Sequence, residues 1–230
     1  MNVLDRSFIA RTAQALSTDE SHVEKDWHVV RALGIIASVD VAGITSVLSG
    51  GTSLSAAWRL ITRFSEDLDF KVIVEAPNPS AARTRRGRFR EKVLEALAVA
   101  GFTLDGEVLI GNMSRFFRAS CHYGAILPPA AGIRPTLRIE MTFSGTLIKP
   151  VPRSVQSLLG LAEQGTPEVA SLLCVDPVET AADKIPESRL IRCGGRSTSS
   201  SCRPCRLVPT RTGSASIGPF LPASSSSSRS

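Results

Sequence analysis

Apolar positions recur along the first third of the chain at two periods, and the change of period marks where helices give way to strands. Ile9, Ala10, Ala13 and Leu16 lie at helical spacing, which predicts a short amphipathic helix over 6–16. Val23, Trp27, Val30, Leu33 and Ile36 recur every three or four residues, so a longer helix follows, with Ser17 or Thr18 able to cap it. Glu24, Lys25 and Asp26 near its start read as a solvated first turn. Ser46 to Ser49 is a short apolar run suited to a buried strand, which stops at Gly50-Gly51, and a helix is expected from Leu54 to Ile61. Strict alternation then begins in DLDFKVIV, 67–74, where Asp67 and Asp69 share one face and Leu68 and Phe70 the other.

The second half repeats these signals. Pro77 and Pro79 close the strand, and Ser80 starts a helix to about Ala100 with Val93, Leu94, Leu97 and Ala98 as its buried stripe. Strands are predicted over 103–110, 115–123 and 136–143, separated by Gly and Pro clusters, as a meander that extends the sheet. On the last of them Arg138, Glu140 and Thr142 share a face. A further short strand is expected over 155–159, an apolar run spans 169–174, and Asp176-Pro177 opens a helix over 178–185. Helices interleaved with strands in this way predict an α/β (α+β) domain with a mixed sheet flanked by helices.

Composition changes this picture at one end only. The net charge of +6 suggests a nucleic-acid partner until it is located: seven Arg and one Glu lie in 186–230, leaving a balanced body of 20 basic and 20 acidic residues. Residues 186–230 are rich in Ser, Arg, Pro, Gly and Cys and carry no helical period, so a disordered tail is expected after a domain of 1–185. Cys202-x-x-Cys205 in that tail has no second CxxC or His pair to complete a zinc site. Two scattered cysteines in the body, no leader-like N-terminus and no run of eighteen apolar residues predict a soluble cytoplasmic protein without a membrane segment.

The candidate chemistry lies in VLSGGTSLSAAWRLITRFSEDLDF, 47–70. A glycine-rich turn before a helix exposes unpaired backbone amides, a place for phosphate oxygens, and Thr52 and Ser53 add hydroxyls or serve as ordinary caps. Two carboxylates on one strand face would repel in a bare cleft, and such oxygen ligands hold Mg2+ together with substrate phosphates; two solvated acids at a strand end are the bland alternative. Arg83, Arg85, Arg86, Arg88 and Arg90 crowd the start of the following helix, where they oppose its dipole; they form either a solvated face or a contact for RNA phosphates.

The Gly-Gly turn followed by Asp-x-Asp resembles the nucleotidyltransferase superfamily. The run GGTSLSAAWRLITRFSEDLDF, with Arg63, Ser65, Glu66, Asp67 and Asp69 in place, is similar to the AbiEii/MenT-type toxins of bacterial toxin–antitoxin and phage-defence systems, and VEKDW at 23–27 resembles that family's N-terminal helix. Fifteen residues separate Gly51 from Asp67, a spacing usual for that branch, whereas Ser49 stands where many members carry lysine. The resemblance implies a nucleotidyltransferase fold in which Gly50, Gly51, Thr52, Ser53 and Arg63 bind nucleotide. Asp67 and Asp69 are then catalytic and metal-binding, Glu140 is a candidate third metal carboxylate, and Lys184 is a catalytic cation. A salt bridge to an arginine is the other reading of Glu140, and a plain surface lysine that of Lys184.

It further implies a nucleoside triphosphate donor, an RNA acceptor of the tRNA kind, Mg2+ as cofactor and a cognate antitoxin as partner. The family continues with helices and an Arg-Asp-x-x-Asp-Leu-like motif where this chain has no aspartate beyond Asp183. Two alternatives therefore stay open: a catalytically inactive relic that binds nucleotide, RNA or antitoxin without turnover, and a basic nucleic-acid-binding module. The tail composition also resembles translation out of frame. An uninterrupted frame through codon 230, with the same tail at related loci, would remove that hypothesis.

Overall fold

The computed structural model describes residues 4–61, 65–130 and 132–184. Arg63 and the whole of 186–230, with its CxxC pair, lie outside the described residues. Helix α1, Arg6–Leu16, ends where Ser17 turns left-handed at φ 51°, and helix α2, Glu20–Ser38, starts from an Asp19 cap whose carboxylate accepts the Ser21 N–H at 2.8 Å. The capping residue of α2 is thus Asp19 rather than Ser17 or Thr18.

Seven strands form one mixed sheet in the order β3-β4-β5-β2-β1-β7-β6. They are β1 Ile44–Ser49, β2 Asp67–Val74, β3 Thr103–Gly111, β4 Phe116–His122, β5 Thr136–Thr142, β6 Val151–Val155 and β7 Val169–Cys174. The meander β3-β4-β5 is antiparallel throughout, as alternation predicted, and β5 then runs parallel to β2 with Asp67 beside Arg138 and Asp69 beside Glu140. Strand β6 lies four residues earlier than expected at its start and ends at Val155, and Leu158–Ala162 is a short helix, α5. Pro152 obscures that strand in the sequence; at the edge of the sheet its missing N–H costs no ladder bond on the open side.

Alternation sorts the strand residues cleanly. Leu68, Phe70 and Val72 of β2, Phe117 of β4 and Leu137, Ile139 and Met141 of β5 are buried in one core with Val29, Leu33 and Ile36 of α2. Phe89, Val93 and Leu97 of helix α4, Pro79–Val99, join them, so α2 and α4 cover this face together. The polar residues Asp67, Asp69, Lys71, Arg118, Arg138 and Glu140 are left on the other face, half-buried. Helix α6, Pro177–Asp183, is capped by Asp176 and lies against that face, because Lys71 Nζ pairs with Glu179 at 2.8 Å and Asp183 at 2.7 Å.

The start of α2 departs most from expectation. Glu24 and Lys25 are not solvated: they are 2% and 0% exposed, and each charged residue of VEKDW fastens a distant segment. The Glu24 carboxylate accepts the N–H groups of Ile126 and Leu127, Lys25 Nζ bonds Glu66 and the Arg134 carbonyl, and Asp26 accepts the Leu158 N–H at 2.7 Å. No helix among the described residues is long and apolar enough to cross a membrane.

Asp26 gives the fold a pH dependence. Burial pushes its carboxyl up to about 7, with the Leu158 N–H opposing and Glu168 adding to the shift. Because the folded value lies above the ordinary 3.8, ionisation penalises the folded state; the penalty grows from about pH 4 and is complete above pH 7. Asp26→Asn keeps an acceptor for Leu158 and is expected to unfold about 2 kcal/mol harder than the parent at pH 8. The two should converge near pH 4 in thermal denaturation.

Candidate active site

The site is built where β1 ends and β2 begins. Strand β1 stops at Ser49, Gly50 turns with φ +70°, and a helical turn, α3 Gly50–Thr52, continues as a π-helical segment over Ser53–Ala57. Helical structure thus begins four residues earlier than expected and stops short of Ile61. A side chain at Gly50 is excluded twice, by the left-handed backbone and by space: an added Cβ would lie 2.1 Å from Asp69 Oδ2. Asp69 is therefore packed directly on the glycine turn. Gly50→Ala is expected to cost about 1–3 kcal/mol in chemical denaturation and to displace the carboxylate.

Gly50, Asp69, Glu140 and Lys184 line one cleft of about 450 Å³, with Lys71, Thr142 and Thr180. The sequence-predicted residues that meet here come from four elements, and Lys71 holds α6 in place so that Lys184, its C-cap, comes to the cleft. Glu179 supports this by accepting the N–H groups of Leu147 and Ile148, each at 2.9 Å. Neither Lys71 nor Glu179 was singled out from the sequence, although Lys71 continues the alternate row of Asp67 and Asp69.

The three acids have different environments. Asp67 is held by a fork of Arg138, Nε to Oδ1 at 3.0 Å and Nη2 to Oδ2 at 2.5 Å, with Arg134 at 3.4 Å. Glu140 pairs with Arg118 at 2.8 Å and Arg138 at 3.4 Å, so the salt-bridge reading of this residue describes its present contacts. Asp69 has no hydrogen-bond donor on its carboxylate among the described residues. Burial, then Glu140 and Asp67, push its carboxyl up to about 6, against the pull of Lys184 and Arg138.

Thr52 and Ser53 do not present hydroxyls to the cleft. Both are buried; the Thr52 hydroxyl donates to the Asp67 carbonyl and lies 3.1 Å from Ser65 Oγ, which ties the glycine turn to β2. Gly51 is buried beside them. The turn can therefore meet a ligand through its backbone, while the Thr52 hydroxyl holds it in shape.

A hard divalent cation suits Asp69, whose half-buried oxygens lack donors beside two further carboxylates. Among the described residues no group of three or more His, Cys, Asp or Glu is arranged to hold a metal by itself. Such a cation would need oxygens from a phosphate ligand and water to fill its shell, and Asp67 would join it by exchanging its arginine fork.

The described fold is similar to that of MenT4, a nucleotidyltransferase toxin from Mycobacterium tuberculosis H37Rv, with a TM-score of 0.54 and 20% identity. The alignment covers 79% of this chain and 57% of that one, so the chain spans somewhat more than half of that protein's length. No curated protein matches the sequence. The family model described as nucleotidyl transferase AbiEii toxin, Type IV TA system, matches residues 31–186, a span that runs from α2 through the glycine turn, the Asp67-x-Asp69 strand and Glu140 to Lys184. With more than half of its length matched, and every residue of the cleft inside the match, the chain belongs to the AbiEii nucleotidyl transferase toxin family.

Proposed function

We propose that the chain transfers a nucleotide from a nucleoside triphosphate to a hydroxyl of an RNA acceptor, tRNA being the acceptor class, as the toxin of a toxin–antitoxin pair. The observation that carries this reading is the Asp69 carboxylate: packed on a glycine turn, crowded by two other acids, and without a donor of its own. That arrangement is costly unless a cation completes it. Mg2+, when bound, would neutralise phosphate charge and orient the leaving pyrophosphate.

Each residue then has a task set by its position. Asp69 and Asp67 hold the cation, and Arg138 releases Asp67 to do so while still balancing Glu140. The backbone of Gly50 to Ser53 meets the triphosphate. Lys184 neutralises phosphate charge at the open side of the cleft. Glu140 shares the cation or positions the acceptor hydroxyl. Arg63, which lies outside the described residues, is assigned to the nucleotide with the turn. Inhibition of translation would follow from modified tRNA, and a cognate antitoxin would restrain it in the cytoplasm.

Calorimetry separates this enzyme from an inactive relic. Nucleoside triphosphate should bind in the presence of Mg2+ and not after chelation, and purified protein should then label RNA. Binding without transfer would identify the relic; heat unaffected by chelation would remove the metal role assigned to Asp69.

A further inference from the structure

A second charged site lies away from the cleft, on α4. Arg83, Arg86 and Arg90 line a depression of about 950 Å³ with Gly111 at the end of β3 and Asn112 and Ser114 of the β3–β4 turn. Arg86 is 9% exposed, and its buried Nε has no hydrogen-bond partner, although it borders this depression. Arg90 is fixed in place by the Ser114 hydroxyl at 2.9 Å and lies over the Phe143 ring. None of Arg83, Arg86, Arg90 and Arg115 forms an ion pair among the described residues.

These side chains act against each other. Burial, then Arg115 and Arg83, hold the Arg86 guanidinium below its ordinary value; burial and Arg86 do the same to Arg90, which Glu91 partly offsets. A fold gains nothing from gathering like charges around a buried guanidinium whose Nε is unpaired, whereas an external anion would satisfy both the charge and the free N–H. Arginine forks match phosphate oxygens in pairs, and a polynucleotide backbone supplies phosphates in series.

We infer that Arg83, Arg86, Arg90 and Arg115 form a docking site for the phosphodiester backbone of an RNA. The inference rests on the RNA-acceptor reading of the cleft. The Phe143 N–H to Arg115 carbonyl bond continues the β4–β5 ladder three residues beyond the row that pairs Arg118 with Glu140, roughly 10 Å along the sheet. The cluster lies on the α4 side of that sheet end and the cleft on the other, so a strand passing over the end would engage both.

The test is fluorescence anisotropy of a labelled tRNA acceptor hairpin bound to the full chain, without nucleotide, over a range of salt. Arg83 and Arg115 are exposed, so Arg83→Gln/Arg115→Gln should fold normally. It should bind about tenfold more weakly and lower the slope of log affinity against log salt by about 1.5. Arg203→Gln/Arg206→Gln removes the same charge from the tail and should change neither by more than a minor amount. Equal losses in both variants would reduce the site to bulk charge, and polyglutamate that competes as well as RNA would make it a surface for an acidic protein. Either result overturns the assignment. In a parallel transfer assay, the cluster variant should show a raised KM for RNA at unchanged kcat. An unchanged KM with normal labelling by the parent would sink the docking site alone, and RNA binding through the cluster without transfer would sink the cleft reading alone.

Discussion

Asp69→Asn is expected to lower nucleotide transfer by roughly 10³-fold or more while leaving the fold intact. The charge of this residue is the property at issue, since asparagine keeps its size and fits the same contact with Gly50. In the free protein that charge is a burden: the carboxyl is pushed up to about 6 by burial and by Glu140 and Asp67, so removing it relieves repulsion. The variant should therefore melt at the same temperature as the parent or slightly higher. Loss of activity with no loss of stability is the pattern of a residue kept for chemistry. A variant that retained activity would show that the acid is an ordinary polar residue of the sheet.

The second large effect concerns Lys25, which is wholly buried and pairs with Glu66, one residue before Asp67. Burial lowers its pKa, and Glu66 opposes that shift. Lys25→Ala removes the cation, leaves Glu66 with only the Arg134 N–H at 3.3 Å and opens a cavity, for an expected loss of about 4 kcal/mol in urea denaturation. Glu66→Gln alone should cost less, since Glu66 is 25% exposed and can be solvated. In the double variant the losses should not add, because both act on one contact. Full additivity would mean that the ammonium serves the Arg134 carbonyl, which it bonds at 2.7 Å, rather than Glu66. Weakening this tie should also slow transfer, because it sets the entry of β2 into the cleft.

Lys25 also shows where reading the sequence stops. The rows of Asp67, Asp69 and of Arg138, Glu140 were legible because a strand alternates strictly, and residues of one parity must share a face. The glycine turn was legible because Gly50 has a positive φ that other residues resist. The partners of VEKDW were not, since Glu66, Ile126, Arg134 and Leu158 are brought to α2 only by the folded chain. A charged triplet at a helix start usually meets water, and the helical period carries no sign that it does otherwise.

The same limit applied to the electrostatics of the cleft. Arg138 and Glu140 were placed on one face, but the parallel pairing of β5 with β2 that sets Arg138 against Asp67 comes from topology. Its consequence is that two acids of the site are matched to arginines and the third is not. Arg118 and Lys71 were overlooked for the same reason, as each finds its partner on another element.

Transfer of nucleotide to RNA by the Gly50 turn and the β2 aspartates can be tested in one assay. Purified full-length protein is incubated with Mg2+, radiolabelled nucleoside triphosphates and total tRNA, beside the Asp67→Ala/Asp69→Ala double variant at equal concentration. Label is expected on RNA from the parent protein and none above background from the double variant. Equal labelling by both, or no labelling by the parent with any of the four nucleotides, would contradict it.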